Sequence, residues 1–169
     1  SSERNFKKAA EYFLQAKESL EEYGDNYSIN YISTLTNIGL CGQNLGQSSY
    51  AISIYDLSEN IIIENYSEAH PIYATLLINK ALFYSSLGDN RTGLEYTIKA
   101  INCVESIYGK KSRKYAECLV NLGHFYFLNS KIDEAKKCLI EAIDVLSAYD
   151  NVGIINAYIN LLGIYYYEN

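Results

Sequence analysis

Small residues recur along this chain at a fixed interval. Gly39, Ala81 and Gly123 stand 42 residues apart, and Ala9, Ala51, Gly93 and Ala135 keep the same spacing. A period of that length marks a structure made by repeating one supersecondary unit, which must stack because one unit alone cannot bury both of its faces. Between the small residues the apolar positions fall at helical spacing, as at Leu76, Leu77, Ala81 and Tyr84. Pro71 stands where a first helical turn tolerates proline. Gly88 supplies a left-handed stop, and Asp89 or Asn90 can cap a second helix. That second helix runs through Gly93, Ile98, Ala100, Ile101 and Val104 until Gly109 closes it. A missing side chain at Gly39, Ala81 or Gly123 lets the paired helix approach to about 8–10 Å between axes.

The pattern predicts an all-α fold, an α-solenoid of antiparallel helix pairs with about eight helices. The helices are expected near 3–23, 31–45, 48–66, 72–87, 91–108, 112–128, 132–149 and 153–167. They form a single domain over 1–169, in which 31–66, 72–109 and 112–149 are complete repeats. Residues 1–24 read as a second helix without its first, and 153–167 as a first helix without its second. The last interval, Gly123 to Gly163, is 40 residues, which a shorter loop at Tyr149, Asp150 and Asn151 would absorb. The start has neither an initiator Met nor the apolar core of a signal peptide, so the chain reads as a piece of a longer protein. The last helix is apolar almost all round, so the isolated piece is expected to self-associate through the open ends near Ile154 to Tyr167, head to tail or by symmetric burial of that helix, which a further helix would cover in the full protein.

Charge and composition remove several function classes. Residues 1–17 carry four bases and two acids, 18–79 eight acids and no base, 80–137 ten bases and six acids, and 138–169 four acids alone. No dominant basic stripe is present, so nucleic acid is not an expected partner; the cluster at Lys110, Lys111, Arg113 and Lys114 reads as a solvated turn. Apolar runs of three residues, such as Ile61 to Ile63, fall far short of the ~20 that span a bilayer. Cys41, Cys103, Cys118 and Cys138 form no C-x-x-C pair and read as small buried thiols of a reducing, cytoplasmic protein. Neither His70 nor His124 has a partner at metal-ligand or triad spacing on its helix face. No cofactor, metal or catalytic residue is expected. Many of the 18 tyrosines follow the period, Tyr31, Tyr73 and Tyr115 among them, which makes them structural.

The residues that carry the repeat are Leu35, Gly39, Ala51, Tyr55 and Ser58, then Leu77, Ala81, Tyr84, Gly93 and Ala100. Leu119, Gly123, Tyr126, Ala135, Leu139 and Ala142 form the third set, and Ala9, Phe13 and Ala16 match an earlier second helix. This pattern resembles the tetratricopeptide repeat. Its 42-residue form is similar to the variant in kinesin light chains, as are the loop Ala69 to Ala74 and the Asn two places before each small residue. The chain departs from that family in lacking a preceding heptad coiled coil, in Thr97 where an aromatic is usual, and in Lys80 where a Leu is usual.

The resemblance implies that first helices line a concave face on which partners lie as peptides. By register the facing positions are Ser33, Asn37, Leu40 and Asn44; Thr75, Asn79, Leu82 and Ser86; and Glu117, Asn121, His124 and Leu128. Asn37, Asn79 and Asn121 either form a ladder of amides that donate to and accept from a bound backbone, or bond the neighbouring helix and lock the stacking. Some relatives grip a terminal carboxylate with two Lys and one Arg. The matching positions here are Thr36, Glu117 and Asn121, so no such clamp is expected, and apolar, neutral or basic segments suit the face better than acidic ones. The expected function is a non-enzymatic scaffold for a protein or peptide partner. The alternative is a regulatory repeat domain of a larger signalling or enzymatic protein.

Overall fold

The computed structural model describes residues 2–149 and 152–168. Among these residues there are eight helices and no strand: α1 (Ser2–Glu22), α2 (Ile29–Asn44), α3 (Ser48–Asn65), α4 (Pro71–Ser86), α5 (Asn90–Tyr108), α6 (Arg113–Leu128), α7 (Ile132–Leu146) and α8 (Val152–Tyr167). Turns of three residues join α2 to α3, α4 to α5 and α6 to α7, which makes these the helix pairs of the repeat. The loop around Asp150 and Asn151 lies outside the described residues.

Local chemistry explains most helix boundaries. The Ser28 and Ser112 hydroxyls accept from the backbone N–H of Tyr31 and Tyr115 at 3.1 and 3.2 Å, and the Asp89 carboxylate accepts from that of Thr92 at 3.1 Å. Ser28 therefore starts α2 at Ile29, two residues before the expected position. The α7 helix stops at Leu146 rather than 149, where Ser147 takes the cap and turns its hydroxyl back to the Asp144 carbonyl. The turn after each first helix uses Gly46 and Gly88 at positive φ, and at the third such position Ser130 holds φ 60. A serine there carries a Cβ penalty that glycine avoids. Asn129 compensates in part, donating its amide to the carbonyls of Phe125 and Asn90 at 2.8 and 2.9 Å.

Residues 1–79 and residues 80–169 form two compact units, with the boundary inside α4. In the first unit α1 packs on α2 and α2 on α3. Its core holds Tyr31, Leu35, Ile38 and Ile54, against which Phe13, Leu20 and Ile61 pack from the side. Gly39 is needed because a Cβ there would stand 2.6 Å from the Tyr55 ring. The Tyr31 and Tyr73 hydroxyls donate to Glu21 and Glu59 at 2.8 and 3.1 Å, so these periodic tyrosines are buried struts with a polar tip.

In the second unit α5 packs on α6, α6 on α7 and α7 on α8, and α6 also touches α8. A Cβ at Gly123 would lie 2.8 Å from Leu139 Cγ and 3.2 Å from the Ala135 carbonyl, so the small residues are where the pairs close. The two departures from the repeat pattern are both accommodated. Thr97 is buried with its hydroxyl on the Gly93 carbonyl at 2.9 Å. Lys80 is also buried, its Nζ 4.8 Å from the centre of the Tyr96 ring, which in turn stacks on Tyr84 at 5.5 Å.

Candidate functional site

The repeated first-helix positions form one stripe on each of α2, α4 and α6. On α2, Ser33 and Asn37 are half-buried while Leu40 and Asn44 are exposed. On α4, Asn79 is half-buried and Thr75, Leu82 and Ser86 are exposed; on α6, Glu117 and Asn121 are half-buried and His124 and Leu128 exposed. Spacings of four and three keep each set on one side of its helix. None of the twelve is a core residue. Several hydroxyls and amides fold back on their own helix: Asn44 donates to the Leu40 carbonyl at 2.8 Å, Thr75 to Pro71 at 3.1 Å and Ser86 to Phe83 at 2.6 Å.

Asn37, Asn79 and Asn121 differ from these. Among the described residues their side-chain amides make no hydrogen bond to the protein, and each is half-exposed at the same repeat position. Each amide offers two donor hydrogens and an acceptor oxygen to whatever lies against the stripe.

On the second unit, Asn121 and Glu117 line a depression of about 280 Å³ between the N-terminal halves of α6 and α8. Arg113, Val120, Val152, Gly153 and Asn156 complete it. Arg113, which is not among the twelve register positions, adds a base beside them: its Nε donates to Glu117 Oε1 at 2.8 Å, one turn along α6. The pair brings opposite charges to one wall beside two amides. The Arg113–Glu117 spacing of four was legible as a helical ion pair, but Asn156 lies on a helix whose adjacency to α6 no local pattern reveals.

His124 lines a different depression. It joins Gly123, Phe127, Leu139, Ile159, Asn160, Gly163 and Ile164 around about 270 Å³ of mostly apolar space where α6, α7 and α8 converge. Burial of the imidazole lowers its pKa, and its ring meets Phe125 edge-on at 6.0 Å. Thr36, one of the clamp positions, is buried on the inner side of α2 with its hydroxyl on the Ile32 carbonyl.

All four cysteines are free; Cys41, Cys103 and Cys118 are buried and Cys138 half-buried. Burial pushes the Cys118 and Cys138 thiols up to about 11, away from nucleophilic reactivity. No group of His, Cys, Asp or Glu suited to a metal occurs among the described residues. His70 accepts the Ile72 N–H on Nδ1 at 3.2 Å and packs on Tyr66. No helix among the described residues is long and apolar enough to cross a membrane.

Stacked helix pairs with small residues at fixed register define an all-α helical-repeat protein. Residues 72–148 match the tetratricopeptide-repeat family model. The structure is similar to BtubC (BKLC) from P. vanneervenii, with a TM-score of 0.81 and 20% identity over 95% of this chain and 65% of that one. It is also similar to the nearly identical TPR-like repeats assigned to a kinesin light chain of Podosopora anserina, with a TM-score of 0.79 and 14% identity over 96% of this chain and 80% of that one. A single-substitution variant of those repeats gives a TM-score of 0.79 and 13% identity, covering 96% and 79%. No curated protein matches in sequence. Residues 72–148 thus match the tetratricopeptide repeat, and the fold of nearly the whole chain is similar to that of kinesin-light-chain repeats. This repeat fold generally mediates protein–protein interaction.

Proposed function

We propose that the chain is a non-enzymatic, cytoplasmic interaction module that holds an extended peptide or a helix of a partner protein along its first-helix stripes. The observation that supports this reading is the set of side-chain amides at Asn37, Asn79 and Asn121, half-exposed, at one repeat position and without a hydrogen bond among the described residues. Amides so placed suit a peptide backbone, since each can satisfy one N–H and one C=O without demanding a side chain. Exposed Leu40, Leu82 and Leu128 supply apolar contact on the same stripes, and the Arg113–Glu117 pair leaves the α6 wall close to neutral. Apolar, neutral or mildly basic segments fit this surface; an acidic segment would desolvate its charge beside Glu117.

A peptide array probed with the 169-residue chain selects ligands, and their affinities are then measured for Asn79→Ala and Asn121→Ala. Each lost hydrogen bond should weaken binding by roughly 0.5–1.5 kcal/mol with the fold intact. Affinity unchanged in both variants would remove the amide stripe as the binding face.

A further inference from the structure

The α6 helix begins against the electrostatics of its own backbone. Its first turn carries Arg113 and Lys114 and no acid, at the end where the macrodipole favours negative charge. The α7 helix has the ordinary arrangement, with Asp133 and Glu134 in that turn. Lys110 and Lys111 stand just ahead of α6, so four exposed bases within five residues surround the capping Ser112. Glu105 and Glu117 offset Lys110 and Arg113 at 3.5 and 2.8 Å. Lys111 and Lys114 have no ion pair among the described residues, Lys114 lying over the Tyr108 ring at 5.6 Å.

Capping does not call for these bases. Ser28, two periods earlier, caps α2 in the same way, with Asp25 beside it and no Lys or Arg between residues 18 and 79. Cations gathered at a helix N-terminus without need of the fold break a local rule, and such breaks mark functional positions. What the cluster lacks is an anion, and the hydroxyl at its centre can become one. Ser112 lies on a surface turn with extended backbone, φ −79 and ψ 149, beside Lys111, whose carbonyl accepts from the Tyr149 hydroxyl at 2.9 Å. Its own hydroxyl accepts from the Tyr115 N–H at 3.2 Å and donates to the Gly109 carbonyl at 2.8 Å. A phosphate oxygen keeps the first bond, and the carbonyl of exposed Gly109 turns to water.

We propose that Ser112 is a phosphorylation site for a serine kinase whose substrate groove is acidic, and that the phosphate draws Arg113 away from Glu117. In the transfer, Ser112 Oγ bonds to the γ-phosphorus of a nucleoside triphosphate, and the bond from that phosphorus to the bridging oxygen breaks. The nucleoside diphosphate leaves, and the hydroxyl proton passes to the kinase's base. The product carries about −1.5 to −2 charges and three acceptor oxygens beside Lys111, Lys114 and the N–H groups of α6. Arg113 and Glu117 form an exposed and therefore weak pair, and a phosphate is the stronger, bidentate partner for a guanidinium. The consequence, which rests on the peptide-binding reading above, is regulatory. Glu117 loses its counter-charge beside Asn121, the near-neutral wall of that depression turns acidic, and a basic partner segment gains over a neutral one.

The 169-residue chain is incubated with ATP and either protein kinase C, which takes serines flanked by bases, or an acid-directed casein kinase. Mass spectrometry of the folded chain should place phosphate on Ser112 with the first and not with the second. Ser112→Asn, which caps a helix as well as serine, should lose that phosphate with the fold intact. Replacing Lys110 and Lys111 by Gln should slow its incorporation by about tenfold or more. The Arg113 Nε–H resonance should then shift on phosphorylation and titrate with a pKa of about 6, the second of the phosphate. A folded chain left unmodified at Ser112 overturns the proposal, as does a phosphorylated chain whose Arg113 resonance stays in place. Array ligands carrying Lys or Arg should bind the phosphorylated chain roughly two- to fivefold tighter, and equal affinity removes the regulatory step. If no peptide binds either form, the groove reading fails, while the Arg113 resonance still decides this one.

Discussion

The α6 and α8 helices hold the same place in the repeat and meet opposite fates. Tyr115, Cys118, Leu119, Leu122 and Phe125 on α6 are all buried, and their counterparts Ile155, Tyr158, Ile159, Leu162 and Tyr165 on α8 are all exposed. The side chains are comparably apolar, so composition does not cause the difference. What differs is the surroundings: α6 lies between α5, whose Gly93 abuts the Phe125 ring, and α7, laid over Gly123, whereas Gly163 has nothing against it. In a stacked repeat the register decides which residues can be buried, and the helices on either side decide whether they are. The amides lie on another side of these helices, which is how one α6 helix serves both a core and the candidate binding face.

The largest expected effect separates matched positions on the two helices. Leu119→Ala should destabilise the fold by about 2–5 kcal/mol through lost contacts and a cavity. Ile159→Ala, already in solvent, should change stability by no more than about 0.5 kcal/mol. Urea titration of both variants checks this, and equal losses would break the comparison. Leucine at the glycines should reverse the roles: Gly123→Leu drives a side chain into Leu139 and should cost about 1–3 kcal/mol or more, while Gly163→Leu should be neutral or stabilising by up to about 1 kcal/mol.

Burial of Cys118 adds a pH dependence specific to the covered helix. Its thiol is raised from 9.0 to about 11 in the folded chain, so the folded state holds the proton more tightly than the unfolded one. That contribution is fully present below pH 9 and is lost as pH rises towards 11, on the order of 2 kcal/mol. Denaturation at stepped alkaline pH should show a shallower decline in Cys118→Ala than in wild type. The smallest effect concerns the turn into α7. Ser130→Gly should raise stability by about 1 kcal/mol by removing a side chain from positive φ, seen as a higher melting temperature.

The 42-residue period made the helices legible because each small residue marks a pair closing, as Gly39 with Tyr55 and Gly123 with Leu139 show. Helix ends were less so. The shift of α2 to Ile29 follows from Ser28 acting as the cap, a choice that apolar spacing does not record. The stripe positions were readable from register alone, yet whether the amides at Asn37, Asn79 and Asn121 were spent on the neighbouring helix was not, since that depends on distances between elements. His124 shows the limit of register. Three residues beyond Asn121 it is rotated by about 60° around the helix, enough to move it into the apolar depression and away from the wall that Asn121 shares with Asn156. The burial of Lys80 was unreadable for a similar reason, because Tyr96, whose ring receives its charge, lies on the paired helix.

Footprinting by a photogenerated carbene, which inserts into any exposed side chain, tests the covered-versus-bare contrast most directly. In dilute protein Ile159, Leu162 and Tyr165 should label strongly, and Leu119, Leu122 and Phe125 should stay protected. Equal labelling of the two sets would contradict the account, because α8 would then be covered within the single chain or α6 open.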